Sequence, residues 1–358
     1  MNGSSVKTVN NVLAVYAGYS GKAEVRAKSS SGAIFHLLAE FTLSQSGVVY
    51  GVAMSEGCRS AEFIRVCEIS RLPELFGSKY LQAKTGNVFK SVKADLEDNI
   101  VVLFSGTGCQ INGLKGYLGK EYHNLFTVDV ICHGVPSPAL WQKYVEYVER
   151  RNGAKLVNVN FRCKDRSWSD FGMKEIDDTY KARYVSKNKD PYMQMFLRNY
   201  SLRPSCYHCA AKSVKLSDLT IGDFWGINDV APDMNDDKGV SLIIVRTDQG
   251  RELFEKIKHN IKYKEVLYED AVKHNTPEYA SVHKPEMRDT FYMDMNTVSF
   301  EELKRKYIDS RQIPFLKRLK NMIRGFIKRV LRNLGGGKHN GWINGTDYGV
   351  LYIFEDCK

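Results

Sequence analysis

The sequence predicts an α/β fold in which a mixed sheet is flanked by helices. Two consecutive strand–loop–helix units are the main reason, because apolar runs at 100–104 and 125–131 are each followed by a polar loop and a helical pattern. A continuous apolar run is typical of a strand buried on both faces of a parallel sheet, and alternating strands and helices indicate α/β architecture. The length of 358 residues suggests about two domains or one large body.

Composition is that of an ordinary globular protein. Hydrophobic residues make up 43% and charged residues 26% of the chain, which excludes wholesale disorder and low-complexity scaffolds. No apolar run reaches the roughly 18 to 20 residues that a membrane-spanning helix needs, and the first residues lack a secretory signal. We therefore expect a cytoplasmic protein whose eight cysteines are metal ligands, reactive thiols or core residues rather than disulfides.

The N-terminal half begins with a leader and a first strand within 1–28, the strand lying near 12–16. A core domain is expected at 29–265, and a helix at 34–41. The loop before that helix is either an anion site, because the first N–H groups of a helix are unpaired, or an ordinary helix cap. It consists of Ser29, Ser30, Ser31 and Gly32.

Further strands are predicted at 48–54 and 63–69, and a helix at 88–96. Between them lies a loop that combines a glycine, a hydroxyl group, a cation and an aromatic ring. This loop consists of Gly77, Ser78, Lys79 and Tyr80.

Cysteines follow both of the buried strands that define the fold class. The strand at 100–104 leads into Ser105, Gly106, Thr107, Gly108 and Cys109, and the strand at 125–131 leads into Cys132, His133 and Gly134. Ligands of open α/β sheets collect at the carboxyl ends of the strands. We therefore expect Cys109 and Cys132 to face one crevice.

The second half of the core contains predicted strands at 156–161 and 239–246 and helices at 192–200 and 250–259, with a polar loop at 162–171. Cys206 and Cys209 form a C-x2-C pair, which serves zinc, iron–sulfur clusters and redox dithiols alike. Joined by Cys109 and Cys132, this pair becomes a four-cysteine site suited to zinc or an iron–sulfur cluster. Four unrelated buried cysteines are the remaining interpretation.

A segment at 266–310 connects the core to a basic tail at 311–358. No acidic residue lies between Asp309 and Asp347, so much of the net charge of +11 comes from this tail. Apolar residues recur every three or four positions over 315–334, which predicts a basic amphipathic helix. This helix binds the anionic inner face of the membrane, an acidic partner or nucleic acid, or it packs on its own domain. We expect no specific nucleic-acid site.

Taken together, these motifs resemble the coenzyme F420 hydrogenase/dehydrogenase beta-subunit family. That family includes the beta subunit of F420-reducing hydrogenase and 7-hydroxymethyl chlorophyll a reductase, and its bacterial branch is often found in polysaccharide-biosynthesis settings. The matching stretches follow the family's order, and they are 29–32, 47–51, 77–80, 102–110, 129–138, 203–209 and 222–226.

The resemblance implies a flavoprotein, with FAD or FMN, that also holds one [4Fe-4S] cluster. The family's cluster ligands correspond to Cys109, Cys132, Cys206 and Cys209. Regions around the flavin correspond to the serine–glycine loop (Ser30, Ser31, Gly32), the loop at 77–80, and the turn formed by Ser105, Gly106 and Thr107.

Two residues are candidates for catalytic roles. Lys79 would stabilise a flavin phosphate or the reduced ring, with Tyr80 stacking beside it, and His133 would carry a proton near neutral pH. The alternative interpretations are a solvated lysine, a core tyrosine and a loop histidine.

Two features depart from the family pattern. Glycine stands at position 108, where bacterial members usually have proline, and the chain lacks the ferredoxin module of many relatives. A separate donor such as a ferredoxin would then supply single electrons for a small-molecule substrate or an F420-like deazaflavin. The alternative is a non-catalytic, zinc-stapled adaptor or a degenerate family member in a surface-glycan assembly.

Overall fold

A computed structural model describes residues 11–311 of the chain. The tail helix expected at 315–334 and the leader before residue 11 lie outside the described residues. The chain divides into two compact units, Met1–Ile308 and Asp309–Lys358. Among the helices that the structure describes, none combines the length and the apolar character needed to cross a bilayer.

Within residues 11–311 the strands form two sheets. In chain order they are β1 (Ala14–Ser20), β2 (Val48–Met54), β3 (Ala61–Val66), β4 (Ala83–Lys84), β5 (Val102–Thr107), β6 (Leu125–Val130), β7 (Leu156–Cys163), β8 (Gly172–Asp177), β9 (Ala182–Ser186), β10 (Leu219–Asp223), β11 (Ser241–Val245) and β12 (Ile261–Glu265).

The α-helices of the same residues connect and cover these strands. They are α1 (Ala23–Lys28), α2 (Ile34–Ser44), α3 (Val88–Glu97), α4 (Gly108–Leu118), α5 (Pro138–Asn152), α6 (Pro191–Leu197), α7 (Ile227–Val230), α8 (Asp248–Ile257), α9 (Tyr268–Val272), α10 (Arg288–Thr297) and α11 (Phe300–Tyr307).

The large sheet is mixed, as the sequence predicts. Its nine strands follow the order β12-β1-β11-β10-β6-β5-β2-β3-β4. The central strands β10, β6, β5 and β2 are parallel to one another, whereas β11 and β3 run antiparallel to their neighbours β10 and β2. The carboxyl ends of the four central strands therefore share one edge, where ligands of such sheets collect.

Helices cover both faces of the central strands. Apolar side chains of α2 and α8 pack with Val49, Leu103 and Val128 on one face. Side chains of α3 and α4 pack with Val102 and Phe104 on the other face. This burial on both faces explains why residues 102–104 of β5 are continuously apolar.

The second sheet is antiparallel and has the order β7-β8-β9. Its apolar residues join a core cluster with α5, α6, α10 and α11, which includes Trp141, Phe161, Phe291 and Tyr307. The segment predicted to connect the core to the tail thus contains helices that pack against this core.

Two predictions of local structure were incomplete. The strand predicted at 63–69 ends at Val66, and a 3-10 helix follows at Ile69–Leu75. Strands β8 and β9 were missed because charged residues occupy buried positions in β8. Glu175 and Asp177 are 1% and 2% exposed, and ion pairs with Arg151 and Arg183 compensate their burial.

Candidate functional site

A cavity of about 680 Å³ lies at the carboxyl ends of β5, β6 and β10. Its walls include residues 105–107, 130–135 and 221–223 from these strand ends, and side chains from the second sheet and α6. The volume falls within the roughly 300 to 1,000 Å³ typical of ligand sites. The cavity therefore occupies the place that the fold favours for a ligand.

The cavity wall contains nine of the ten residues that the sequence assigned to the flavin. They are Ser30, Ser31, Gly77, Ser78, Lys79, Tyr80, Ser105, Gly106 and Thr107. Gly32 stands behind the wall, where its N–H donates to Ser241 Oγ at 2.9 Å. A Cβ atom at Gly32 would lie 2.3 Å from the Gly18 carbonyl oxygen, so close backbone packing requires glycine there.

The two loops predicted around the flavin are joined directly. Ser30 Oγ accepts a hydrogen bond from the Ser78 N–H at 2.9 Å and lies 3.0 Å from Ser78 Oγ. Ser31 Oγ donates to the Val240 carbonyl at 2.8 Å, which fixes the first loop to the sheet. We call this part of the wall, with residues 105–107 and Cys132, the loop end of the cavity.

Lys79 forms hydrogen bonds within its own loop. Its Nζ donates to the carbonyl oxygens of Phe76 at 2.7 Å and Glu74 at 3.2 Å. Although part of the side chain is accessible, burial of the ammonium group lowers the pKa of Lys79 to about 7. Lys79 is thus partly neutral near pH 7, and an anion in the cavity would favour its charged form.

Tyr80 packs into the aromatic core beside the cavity. Its ring centroid lies 5.0 Å from that of Phe196 and 5.9 Å from that of Phe161. Burial raises the pKa of the Tyr80 hydroxyl, and interactions with Arg162 and Ser78 oppose this shift. Tyr80 therefore connects the loop at 77–80 to a residue of the second sheet.

Strand β5 passes directly into α4 at the cavity. The Thr107 N–H donates to Gln110 Oε1 at 2.9 Å in a capping box, and Thr107 Oγ1 lies 3.2 Å from Cys109 Sγ. This short connection holds Cys109 at the first turn of the helix.

The four candidate ligand cysteines interact electrostatically. Burial raises the pKa of Cys132 to about 12, and the thiols of Cys206 and Cys109 add to this rise. Burial also raises the pKa of Cys206, to which Cys109 and Cys209 contribute. Cys132 lines the cavity, Cys206 and Cys209 are partly exposed, and Cys109 is exposed. The structure thus brings the four thiols into one region.

Their arrangement differs from that of a single-ion site. In the part of the chain that the structure describes, no three His, Cys, Asp or Glu side chains are grouped closely enough to hold one metal ion. An iron–sulfur cube carries each thiolate on a different iron, so its ligands lie farther apart than those of one ion. Four thiols are the donor set that such a cluster uses.

Backbone amides point at two of these sulfur atoms. The Gly134 N–H donates toward the Cys132 thiol and the Val135 N–H toward the Cys206 thiol, and each bond opposes the rise in pKa. Lys212 Nζ donates to the Cys132 carbonyl at 2.6 Å. Such donors favour thiolate over thiol, which is the form that binds metal.

The glycine at position 108 has a local reason. A Cβ atom there would lie 2.9 Å from Asp129 Oδ2, and Asp129 is 1% exposed. The Asp129 carboxylate accepts hydrogen bonds from Ser217 and Thr220. A proline at 108 would crowd this buried carboxylate, so the departure from the family pattern suits this chain.

His133 lines the cavity beside Cys132. Its Nε2 lies 2.6 Å from Asn199 Oδ1, and its ring packs edge-on against Phe196 with centroids 5.1 Å apart. Burial lowers the pKa of His133. The imidazole is therefore mainly neutral at pH 7, and Nε2 donates to Asn199.

Sequence reasoning missed another part of the cavity wall. It contains side chains from the second sheet, from the loop after β7 and from the end of β10. We call this part the second-sheet end of the cavity, and it consists of Arg162, Phe171, Lys187, Asp223 and Trp225.

A carboxylate organises the second-sheet end. Asp223 Oδ1 accepts hydrogen bonds from Arg162 Nη2 and Trp168 Nε1, both at 2.8 Å. Trp168 stacks on Trp225 with centroids 5.1 Å apart and 9° between the ring planes. Trp168 was predicted in a polar loop, but it is only 2% exposed because this hydrogen bond and this stacking compensate its burial.

One signal in the sequence points to this wall. The motif at 222–226 places an aspartate directly before two aromatic residues at the end of a strand. Aromatic residues are not typical of a solvent-exposed turn. Nothing in the local sequence pairs Arg162 with Asp223, because 60 intervening residues separate them and tertiary packing alone joins them.

Two comparisons with known proteins find similar sequences or structures. A family model described as the C terminus of the coenzyme F420 hydrogenase/dehydrogenase beta subunit matches residues 101–270. Among solved structures, the chain is similar to one in the F420-reducing [NiFe] hydrogenase complex from Methanosarcina barkeri. The two chains are 15% identical, with a TM-score of 0.49, and the match covers 73% of this chain and 84% of that one. No curated protein matches the sequence.

The family match confirms the resemblance that the motifs carry. It spans all four candidate ligand cysteines, the second sheet and Asp223, whereas the loops at 29–32 and 77–80 precede it. Hydrogenases and dehydrogenases are oxidoreductases, so residues 101–270 resemble part of an oxidoreductase subunit. The narrower assignment to a branch linked to polysaccharide biosynthesis stays a prediction.

Proposed function

We propose that the chain is a flavin- and [4Fe-4S]-dependent oxidoreductase. It would pass electrons between a separate one-electron donor of the ferredoxin type and a small molecule that accepts a hydride, such as a deazaflavin. When bound, a flavin exchanges electrons in pairs or singly, which links hydride chemistry to a one-electron carrier. The observation that carries the proposal is one cavity whose wall combines the predicted flavin loops with Cys132.

Four thiols would hold the cluster. The thiols of Cys109 and Cys206 add to the raised pKa of Cys132, and that of Cys109 adds to the raised pKa of Cys206, which supports this role. Burial opposes ionisation of Cys132, so its thiolate needs a cation nearby, and a metal supplies one. The zinc-stapled adaptor stays the alternative, because four thiolates also bind zinc.

The loop end would hold the flavin. The hydrogen bond between Ser30 and Ser78 fixes the shape of this wall. Lys79 supplies a cation, and an anion in the cavity would raise the pKa of Lys79 and so favour its charged form. His133, neutral near pH 7, is able to take up a proton within the cavity and later return it. These residues orient the ligand, exclude water and balance charge.

Cofactor analysis tests the proposal. Protein purified without oxygen is expected to contain about one flavin and about four iron and four sulfide ions per chain. Its colour would be yellow-brown, with broad cluster absorbance beneath the flavin bands. A colourless protein that contains zinc would overturn the proposal and favour the adaptor.

A further inference from the structure

We infer that the second-sheet end of the cavity recognises the edge of a planar heterocycle on which an N–H group stands beside a carbonyl. In this site Asp223 accepts the ring N–H, and Arg162 donates to the ring carbonyl. The inference rests on the proposed function and assigns recognition residues to it. The ring belongs either to the resident flavin or to the substrate, since both present this edge.

Asp223 has one oxygen engaged and one available. Oδ1 accepts hydrogen bonds from Arg162 and Trp168, whereas no hydrogen bond from residues 11–311 reaches Oδ2. Two donors on one oxygen fix the orientation of the carboxylate. Because Asp223 lines the cavity, its second oxygen is placed to accept a hydrogen bond from a ligand.

Arg162 is a buried cation that interacts with Asp223 and Tyr80 and keeps one donor unpaired within residues 11–311. The residue is 3% exposed and lines the cavity, and its Nε finds no hydrogen-bond partner among the described residues. Its guanidinium carbon lies 3.8 Å from the centroid of Phe171, which holds the group in place. A buried donor without a partner costs free energy, and a ligand carbonyl would relieve this cost after a small shift.

Flat apolar side chains surround this donor–acceptor pair. Phe171 and Phe196 are buried at the cavity wall, and Trp225 is held against it by stacking on Trp168. Proteins read heterocycles by hydrogen bonds to one edge and by packing on the ring faces. The second-sheet end supplies both kinds of contact.

Phosphate fits this place poorly. The Asp223 carboxylate would repel it, and Lys187 Nζ already donates to the Ser169 carbonyl and to Asp170 Oδ1. The charges of the wall are thus largely balanced, which suits a neutral ring edge better than an anion.

The first arm of the test uses the flavin-free protein. Riboflavin carries the ring without a phosphate, and its N3-methyl derivative lacks the edge N–H. We expect methylation to weaken binding to the wild type by about ten- to a hundredfold, the range for a hydrogen bond to a charged group. Asp223→Asn should lose a similar factor for riboflavin and show little further loss on methylation.

The second arm uses the flavin-loaded protein. It is titrated with 5-deazariboflavin and its N3-methyl derivative, and binding is followed by fluorescence. A methylation penalty that depends on Asp223 in the first arm assigns the edge to the resident flavin. The same penalty only in the second arm assigns it to the substrate.

The control variant is Asp165→Asn. Asp165 lies in the loop after β7 and pairs with Lys174 at 2.8 Å, but it does not line the cavity, so ring binding should not change. Thermal melting checks that Asp223→Asn is folded. If it is not, the comparison of parent and methylated rings on the wild type still tests the inference.

Two results would overturn the inference. Equal binding of the parent and methylated rings in both arms would remove the edge recognition while leaving the flavoprotein proposal intact. No binding of either ring system would remove the proposed function as well.

Discussion

The two ends of the cavity are built in different ways. The loop end is built mainly from backbone turns and small side chains, beside Lys79 and Tyr80, and the Ser30–Ser78 contact at 2.9 Å joins its two loops. The second-sheet end consists of large side chains around one carboxylate, where Asp223 accepts two hydrogen bonds at 2.8 Å. Backbone amides and small residues suit phosphates and clusters, whereas rigid side chains suit a ring whose edge must be distinguished.

The two ends of the cavity also differ in charge. Within residues 11–311, Lys79 of the loop end donates only to backbone carbonyls, whereas Arg162 of the second-sheet end pairs with a carboxylate. The loop end therefore has a cation available for an anionic ligand, and the second-sheet end has a neutralised pair.

The largest effect is expected for Cys132→Ser. Loss of one of four thiolates should remove most of the bound iron, because a hydroxyl is a poor ligand for this metal cluster. Iron and sulfide analysis of anaerobic protein measures the change. The control is Cys67→Ser, an exposed thiol outside the group, which should keep the wild-type iron content. Wild-type iron in Cys132→Ser would exclude Cys132 as a ligand.

A smaller effect is expected for Trp168→Phe. The ring still stacks on Trp225, but the hydrogen bond to Asp223 is lost, which should lower the free energy of unfolding by about 1.5 to 3 kcal/mol. Urea denaturation measures this loss. The control Tyr184→Phe removes a more exposed hydrogen bond to the Asp170 carbonyl and should cost less than about 0.5 kcal/mol. Equal losses of unfolding free energy in Trp168→Phe and Tyr184→Phe would argue that Trp168 does not hold the Asp223 carboxylate in place.

At the loop end we expect a weaker dependence on any one contact. Ser30→Ala leaves the Ser78 N–H without its acceptor and should lower the free energy of unfolding by about 1 kcal/mol. Denaturant melts compare it with Ser44→Ala, in which an exposed hydroxyl bonded to the Phe41 carbonyl is removed. If Ser30→Ala is no less stable than its control, the two loops are not held together by this contact.

The smallest effect is a dependence on pH. Because the pKa of Lys79 is lowered to about 7 in the folded chain and lies near 10.4 when unfolded, the folded state binds fewer protons between these values. Burial of the charge then costs most below pH 7, and stability rises as pH increases from 7 toward 10. Lys79→Met removes this cost, so the variant should be more stable than the wild type. This difference in the free energy of unfolding should become smaller from pH 6 to pH 9.

Solvent screening keeps that change on the order of 0.5 kcal/mol. Chemical denaturation at the two pH values measures it in the flavin-free protein. The control is Lys84→Met, at an exposed lysine. Its free energy of unfolding should differ from that of the wild type by the same amount at both pH values. If the stability difference between Lys79→Met and the wild type increased with pH, the burial of this amine would be contradicted.

Much of the fold and of the loop end could be predicted from the sequence. Continuous apolar runs identify β5 and β6, and the glycine, serine and cysteine residues after them mark the sheet edge. These signals are local, because strand burial and turn geometry restrict the residues within a few positions. The contact between Ser30 and Ser78 was not predictable, although both loops were singled out.

The second-sheet end could not be predicted in the same way. The sequence of β8 does not look like a buried strand because it contains buried charged residues. The burial of Glu175 is compensated by Tyr144 and Arg151, which lie in α5. Arg162 and Asp223 come from two different sheets, and Trp168 reaches them from a loop. Such compensation exists only after tertiary folding, so no pattern of neighbouring residues reveals it.

The most direct test of the account is a reductive titration of anaerobically purified protein, followed by visible absorbance. A flavin accepts two electrons and a [4Fe-4S] cluster accepts one, so we predict about three electron equivalents per chain and bleaching of both absorbance features. An endpoint at about two equivalents with only flavin bleaching, or no bleaching at all, would contradict the claim that the thiols beside this cavity hold a redox cluster.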